Sequence, residues 1–259
     1  MLEVIAVPAF SDNYIWLIRA PNAPDRVVVV DPGDAGPVLD ILTSDGLDLA
    51  GILITHKHAD HIGGVEDLLA AKPGIELFGP DHPAIPLRAD TVRDGDTVRM
   101  PTLGLEFAVR AVPGHTLDHI AYLGSGTAFV GDTLFSIGCG RLFEGTAAQM
   151  LRSLELLAEL PADTILYCAH EYTLDNLRFA RAVLPDDDGL ASAEREARIK
   201  RAEGRPTVPS TLEFELRHNP FMRCSQDAVR DACSNHEGRA LSDPIEVFAS
   251  LRHWKDGFR

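Results

Sequence analysis

Residues 55–64 read THKHADHIGG, so three histidines and one aspartate fall within the six positions 56 to 61. The apolar residues 51–54, GILI, come directly before them and predict a buried strand. A polar turn is the ordinary explanation for such a segment, and the HxH pair alone does not separate a turn from a metal site. Residues elsewhere in the chain are needed to distinguish a polar turn from a metal site.

Three later segments place the same residue types at the ends of β-type runs. They read PGHT at 113–116, VGDT at 130–133 and CAHE at 168–171. Seven ligand-type residues exceed the three or four of a single zinc site, but they suit two metals that share one carboxylate. The sequence therefore predicts a binuclear centre with the candidate ligands His56, His58, Asp60, His61, His115, Asp132 and His170.

The composition is that of a globular protein. With 259 residues, 45% of them hydrophobic, the chain can bury a sizeable core. Its formal net charge of -15 argues against a nucleic-acid partner, because Lys and Arg supply most of the affinity for phosphates. No apolar run approaches the roughly 20 residues that span a bilayer, and the start MLEVIAVPAF lacks the basic region of a secretory signal. The four cysteines show no CxxC spacing, so we expect free thiols in a reducing cytoplasm. We also expect a monomer without a membrane partner.

The predicted secondary structure differs between the two parts of the chain. Up to about residue 170, short β-type runs bounded by Gly, Pro and Asp predict strands, interrupted by helical patterns at 64–71 and 147–160. Beyond residue 170 no strand-like run is found, and helical patterns dominate. The charged segment 186–205 is a solvated helix or a loop. Ser210 with Glu213 predicts a capping box, and Asp243 followed by Pro244 predicts a helix start.

The order HxHxDH, later His, later Asp and final His resembles that of the metallo-β-lactamase superfamily. This resemblance implies an α/β fold, an αββα sandwich with the metals on its rim, over residues 1–170, followed by a smaller helical domain at 171–259. It also implies how the ligands are shared. One metal would be held by His56, His58 and His115, the other by Asp60, His61 and His170, and Asp132 would bridge the two.

Within the superfamily, the chain is similar to glyoxalase II, the hydroxyacylglutathione hydrolases, over nearly its whole length. The motifs that carry this similarity include CGRLFEGTA at 139–147, HEYTLDN at 170–176, PTVPSTL at 206–212, NPFMR at 219–223 and RHWKDGF at 252–258. By position, the resemblance implies that glutathione is bound by these residues: Arg141, Phe143, Tyr172, Arg252 and Lys255. Phe143 departs from the tyrosine that is common in the family, and Asp118 departs from a common glycine.

The resemblance implies a thioester hydrolase that converts S-D-lactoylglutathione into D-lactate and glutathione, the second step of methylglyoxal detoxification. A hydroxide that bridges the two metals would attack the thioester, since a bound metal lowers the pKa of water from 15.7 to about 7. Asp60 and Asp132 would hold the metals and keep the net charge of the site low. We take the cofactors to be two zinc ions, although iron or manganese would suit the same ligands.

Two other functions stay open. A mononuclear-iron glutathione persulfide dioxygenase resembles this fold but lacks the helical C-terminal domain. A catalytically idle binding protein would have little need of a full ligand set. Some residues also have ordinary structural explanations: Arg252 and Lys255 could form a solvated basic face, and Asp31 could cap a turn instead of orienting a ligand histidine. His119 could support a ligand or be an ordinary imidazole.

Overall fold

Two compact units make up the protein, seen in a computed structural model that describes residues 2–86 and 89–258. The first unit contains residues 1–111 and 118–131, and the second contains residues 112–117 and 132–259. The domain boundary predicted at residue 170 follows the change from strand-like runs to helical patterns in the sequence, and it stays a prediction.

A six-stranded sheet in the first unit has the order β1-β2-β3-β4-β5-β6. Strands β1 to β3 pair antiparallel, and β3 to β6 pair parallel. The parallel part needs crossover helices, because parallel strands cannot be joined by a tight turn. The elements are β1 (Val4–Ala9), β2 (Asn13–Ala20), β3 (Ala23–Val30), α1 (Ala35–Ser44), β4 (Asp48–Leu53), α2 (Ala59–Ile62), α3 (Val65–Ala71), β5 (Glu76–Gly79) and β6 (Asp90–Thr91).

The centre of this sheet is buried on both faces. Residues 27–30 of β3, VVVV, are all at most 1% exposed, and residues 52–54 at the end of β4 are fully buried. Continuous apolar runs of this kind are typical of strands covered on both sides. The end of β4, from which the THKHADHIGG segment leaves, is therefore a rigid support.

A second, antiparallel arrangement in the first unit joins β7 to β8, β8 to β9 and β9 to β10. The buried Tyr122 of β9 donates from its hydroxyl to the carbonyl of Ile54 at 2.9 Å, which connects this sheet to the end of β4. The elements are β7 (Thr97–Met100), a 3₁₀ turn (Pro101–Leu103), β8 (Leu105–Ala111), β9 (Ile120–Gly124) and β10 (Thr127–Gly131).

The second unit is mainly helical. Two short hairpin strands and one antiparallel strand pair accompany its helices. Its elements are β11 (Leu134–Phe135), β12 (Gly138–Cys139), α4 (Ala147–Ala158), β13 (Ile165–Cys168), α5 (Thr173–Val183), α6 (Asp188–Ala202), β14 (Ser210–Thr211), α7 (Leu212–His218), a 3₁₀ turn (Pro220–Met222), α8 (Asp227–Glu237) and α9 (Pro244–Gly257).

The helix starts test the sequence signals one by one. Asp243 caps α9 by accepting from the Ile245 N–H at 2.9 Å, with Pro244 at the first helical position, as predicted. The predicted capping residue Ser210 is wrong by one position. Thr211 caps α7 instead, because its hydroxyl accepts from the Phe214 N–H, while Ser210 pairs with Leu166 in β14. That short strand also corrects the expectation that no strand follows residue 170.

The charged segment 186–205 forms helix α6. Asp187 begins it by accepting from the N–H groups of Gly189 and Leu190 at 3.0 and 3.3 Å. Glu194 is buried, and Arg181 and Arg198 form ion pairs with it. Among the described residues, no helix combines the length and the apolar character that crossing a membrane requires.

Candidate metal centre and substrate site

Four of the predicted ligands lie in one loop of the first unit, which we call the ligand loop (residues 55–61). It leaves the buried end of β4 and enters α2, with His58 at the residue before the helix. His56 and His61 are fully buried. The His56 Nε2 atom lies 3.1 Å from His58 Nδ1, and His61 Nε2 lies 3.6 Å from Asp60 Oδ2.

Asp31 orients this loop from the end of β3. One of its carboxylate oxygens accepts from the Thr55 N–H at 2.7 Å, and the other accepts from the Thr55 hydroxyl at 2.7 Å and lies 3.0 Å from His61 Nδ1. The backbone of Asp31 is in the left-handed region with φ 52°. A carboxylate on Nδ1 fixes the ring so that Nε2 faces away from it, which is the usual support of a ligand histidine. The interpretation of Asp31 as a residue that orients a histidine is confirmed.

Glycines allow the ligand loop to approach the segment after β3. A Cβ atom at Gly33 would lie 1.9 Å from the carbonyl oxygen of Asp60, and one at Gly63 would lie 2.6 Å from the carbonyl oxygen of Gly33. No side chain fits at either position unless the backbone moves. Gly63, the first glycine of the motif, is thus a packing requirement of the loop.

Asn13 and His119 both contact the ligand loop; the sequence left the role of His119 open and assigned none to Asn13. The Asn13 side chain donates to Asp60 Oδ2 at 3.0 Å. The His119 ring is buried and stacks on the His56 ring, with centroids 4.5 Å apart and an interplanar angle of 16°. The DNY motif at 12–14 and the histidine after GHTLD were the available signals, but neither spacing indicates a partner 47 or more residues away.

The remaining candidate ligands converge within the second unit. His115 Nε2 and His170 Nε2 each lie 3.3 Å from the same atom, Asp132 Oδ2, and all three side chains are buried. The other ring nitrogen of His115, Nδ1, lies 2.9 Å from the Arg141 carbonyl oxygen, which fixes the ring. A Cβ atom at Gly140 would lie 2.0 Å from the Asp132 carbonyl oxygen, so the turn beside these ligands requires glycine.

The donor set fits divalent metal ions. Imidazole nitrogens and carboxylate oxygens are the ligands that zinc takes in catalytic sites. In the first unit, ligand atoms of Asp31, His56 and His61 lie within 4.8 Å of one another. In the second unit, two imidazoles face one carboxylate oxygen, as they would around a shared cation. These His and Asp clusters are consistent with a binuclear metal site.

Two aromatic rings cover the histidines of the second unit. Tyr172 stacks on His170 with centroids 4.7 Å apart and an interplanar angle of 3°. Phe143 is 63% exposed, and its ring meets His115 edge to face at 5.2 Å. A large apolar side chain this exposed beside a candidate ligand is of the kind that lines small-molecule sites.

Helix α9 carries the two predicted basic residues in different environments. Arg252 is buried, and its guanidinium donates to the Cys139 carbonyl at 2.9 Å and to Asp256 at 2.9 Å. A solvated basic face is therefore wrong for Arg252. Lys255 is half-buried and donates to the Asp175 carbonyl at 3.0 Å. Burial, and then the charge of Arg252, lower the pKa of Lys255 to about 8. Arg141 is exposed and lies 3.5 Å from Asp256.

The cysteines do not serve as nucleophiles. All four are free and buried. Burial raises the pKa of the Cys139 thiol to about 11 and that of Cys168 to about 12, so both are protonated at neutral pH. The free-thiol prediction is confirmed.

Comparison with known proteins places these features in a family. Residues 10–170 match the Metallo-beta-lactamase superfamily, and residues 171–258 match the Hydroxyacylglutathione hydrolase C-terminus. The chain is 52% identical over its whole length to a hydroxyacylglutathione hydrolase of Aeromonas salmonicida and 50% identical to one of Photobacterium profundum, with all of each relative covered.

Solved structures share the fold. ETHE1 from Myxococcus xanthus has 26% identity and a TM-score of 0.65, with all of this chain and 91% of that chain covered. The BLEG-1 B3 metallo-beta-lactamase has 22% identity and a TM-score of 0.63, covering 86% of this chain and 99% of that chain. The fold class inferred from the sequence is confirmed. The chain belongs to the hydroxyacylglutathione hydrolases, thioester hydrolases of the metallo-β-lactamase superfamily.

Proposed function

We propose that the protein hydrolyses S-D-lactoylglutathione and related 2-hydroxyacylglutathiones to the hydroxy acid and glutathione. The observation that carries this proposal is the pair of imidazoles, His115 and His170, that face one oxygen of Asp132 in a chain of this family. Free, buried cysteines support a cytoplasmic location for the enzyme.

The seven predicted ligands would hold two divalent metal ions, taken as zinc. These are His56, His58, Asp60, His61, His115, Asp132 and His170. Two bound cations would supply hydroxide at neutral pH and offset the charge that develops on the thioester oxygen. Asp132 would serve as the shared carboxylate, because two histidines already face the same one of its oxygens.

The surrounding residues fix the ligand side chains before substrate arrives. The Asp31 carboxylate orients His61, and the Arg141 carbonyl orients His115. Rings held in this way lose little freedom on binding a cation. The rings of Tyr172 and Phe143 lie against His170 and His115 and would exclude water from one side of the reacting thioester.

The carboxylates of glutathione would be bound by the basic residues of the second unit. Arg141 and Lys255 present charges at or near the surface, whereas Arg252 is held by Cys139 and Asp256 and would act mainly by position. A local positive region is needed for an anionic substrate, because the chain as a whole carries a formal net charge of -15. Phe143 has no hydroxyl to contribute, so this wall would be apolar.

A thioesterase assay on S-D-lactoylglutathione tests the proposal. Metal-loaded protein should release D-lactate and free thiol in equal amounts, and protein stripped by a chelator should not until metal is returned. Oxygen uptake with glutathione persulfide, without thioester hydrolysis, would instead support a dioxygenase. If fully metal-loaded protein shows neither thioester hydrolysis nor oxygen uptake, that result would contradict the proposal and favour a binding protein.

A further inference from the structure

A short hairpin, formed by β11 and β12, lies between Asp132 and the segment that fixes His115. Asp132 comes two residues before β11, and the hairpin closes at its base where the Gly140 N–H donates to the Thr133 carbonyl at 3.3 Å. Arg141 follows directly, and its carbonyl oxygen lies 2.9 Å from His115 Nδ1. The position of this base therefore sets the position of Asp132 and of the carbonyl that fixes His115.

The hairpin also contacts the third candidate ligand of the second unit. The Phe135 ring of β11 meets the His170 ring edge to face, with centroids 5.8 Å apart and an interplanar angle of 90°. Each strand of the hairpin has only two residues, and a hairpin this short is not stable by itself. Ile137 at its turn has φ 57°, a conformation that a β-branched residue keeps only where its surroundings hold it in place.

Buried side chains from the C-terminal part of the chain supply this support. Each of the residues 136–139 gives one backbone group to such a side chain. In order along the hairpin, the contacts are Asn176 to the Ser136 carbonyl at 3.1 Å, Glu215 to the Ile137 N–H at 2.8 Å, Asn219 to the Gly138 carbonyl at 3.0 Å and Arg252 to the Cys139 carbonyl at 2.9 Å. All of these residues belong to the second unit. The hairpin is therefore held at four successive positions.

Two of the four contacts come from asparagine amides. Asn176 ends the HEYTLDN motif, and Asn219 begins the NPFMR motif. A Cβ atom at Gly138 would lie 2.4 Å from Asn176 Nδ2, so this amide packs directly against the glycine. Asn219 also donates to Glu215 Oε2 at 2.9 Å, while its own oxygen accepts from the Phe221 N–H at 3.0 Å and begins a 3₁₀ turn. The oxygen of Asn219 thus has a local role, and its nitrogen serves the hairpin.

We propose that Asn176 and Asn219 are positioning residues that act through the hairpin on the candidate ligands of the second unit. Without either amide, a buried carbonyl of the hairpin loses its donor, and the hairpin has to shift to pair it again. Such a shift would move the Asp132 carboxylate and the groups that contact His115 and His170. A metal site requires its ligands to be placed within about 0.5 Å, so the affinity for metal should fall. The inference rests on the proposed metal site.

Zinc affinity, measured by competition with a chelating dye on the full-length protein, tests this role. Asn219→Ser keeps an oxygen that can begin the 3₁₀ turn but loses the amide hydrogens that reach the hairpin. It should bind zinc about tenfold more weakly than wild type, the low end for loss of a residue that supports a ligand. Asn176→Ala should show a similar loss, because it removes the donor to the Ser136 carbonyl. Either variant suffices if the other does not fold.

Ser234→Ala is the matched control. Ser234 lies in α8 of the same unit, where its hydroxyl accepts from the Leu241 N–H at 3.0 Å and donates to the Arg230 carbonyl at 2.8 Å, and neither contact involves the hairpin. Thermal unfolding of all variants measures the purely structural cost. The visible spectrum of the cobalt(II)-loaded proteins reports the geometry of the ligands. Only the asparagine variants should change zinc affinity and the cobalt spectrum.

Three results would count against the inference. Wild-type zinc affinity and an unchanged cobalt spectrum in the asparagine variants would overturn it. An equal loss of zinc affinity in Ser234→Ala would also overturn it, because the effect would then follow from stability alone. Wild-type protein that binds no zinc would instead refute the proposed metal site, and this inference with it.

Discussion

Lys255 lies in a more buried environment than the solvated helix face that its sequence position suggests. Its amine is half-buried, donates to the Asp175 carbonyl and lies 5.4 Å from the centroid of the Phe179 ring. Burial and neighbouring positive charges lower its pKa to about 8, so a large fraction of the amine is neutral at slightly alkaline pH. The proposed contact of Lys255 with a carboxylate of glutathione should therefore weaken as the pH rises through about 8.

We expect the KM for S-D-lactoylglutathione to rise between pH 7 and 9. Lys255 loses its charge as the pH passes its folded pKa of about 8, and KM could increase up to about tenfold at pH 9 if only the charged form binds. kcat should change little, because the proposed contact is with a carboxylate of glutathione and not with the thioester that reacts.

Steady-state kinetics on two variants isolate this effect. Lys255→Arg stays charged and should keep a low KM across the range, and Lys255→Met should have a raised KM that does not depend on pH. The same rise in wild type and Lys255→Met would exclude Lys255 as its cause.

At the level of single residues, the sequence predicted best what is local. The ligand loop could be recognised because four candidate ligands fall within six consecutive positions, 56 to 61. The contacts of Asn13, His119 and Asp118 with this loop could not, because they join residues 47 or more positions apart and depend on strand pairing. Asp31 was found only as one of two interpretations, since an aspartate at a strand end often caps a turn.

Among the elements, the hairpin of β11 and β12 depends on a buried carboxyl group from α7. Glu215 is fully buried, and its Oε2 atom accepts from the Ile137 N–H at 2.8 Å and from the Asn219 amide at 2.9 Å. Ile137 lies at the turn with φ 57°, a strained conformation for a β-branched residue. The hairpin connects the segment of Asp132 to that of Arg141. Burial raises the pKa of Glu215 to about 7.

Glu215 should make the protein less stable as the pH rises. The unfolded carboxyl group loses its proton near the ordinary value of 4.5, but the folded one holds it up to about 7. Folding therefore binds a proton between these values, and its contribution to the free energy of unfolding falls by about 3 kcal/mol from pH 4.5 to 7. Glu215→Gln cannot titrate and should lose this part of the pH dependence.

Urea unfolding of wild type and variants at pH 4.5 to 8 checks this expectation. The matched control is Glu213→Gln, since Glu213 lies in the same helix with its side chain 63% exposed. That control should follow the wild-type profile. A constant difference in unfolding free energy between wild type and Glu215→Gln at every pH would show that Glu215 does not titrate in this range.

Helices were predictable where the apolar periodicity was long or where the sequence carried a common N-cap signal. Helices α3 and α4 follow from the helical patterns at 64–71 and 147–160, and α9 follows from the Asp243–Pro244 start. Helix α1 was not predicted, because Gly36 and Pro37 in its first turn resemble a loop, yet Asp34 caps it by accepting from the Gly36 N–H at 2.9 Å. Helix α6 stayed ambiguous because the sequence does not reveal that Glu194 is buried with two arginines.

For the whole molecule, the change in predicted secondary structure along the sequence and the division into compact units fall at different residues. The change from strands to helices near residue 170 suggested a boundary there, but residues 112–117 and 132–170 belong to the same compact unit as the C-terminal helices. Four of the candidate ligands belong to the first unit and three to the second. The pattern of strand and helix signals in a sequence depends on local propensity, whereas a compact unit depends on long-range packing.

Our central claim is the proposal that the seven candidate ligands hold two metal ions that the hydrolase requires. The most direct test is to titrate metal-free protein with zinc while measuring both bound zinc and the hydrolysis of S-D-lactoylglutathione. We expect two zinc ions per chain at saturation, and we expect Asp132→Ala to lower zinc occupancy and kcat together because it removes a ligand that both ions share. Saturation at one ion or none, or an Asp132→Ala variant with unchanged zinc content and turnover, would contradict the claim.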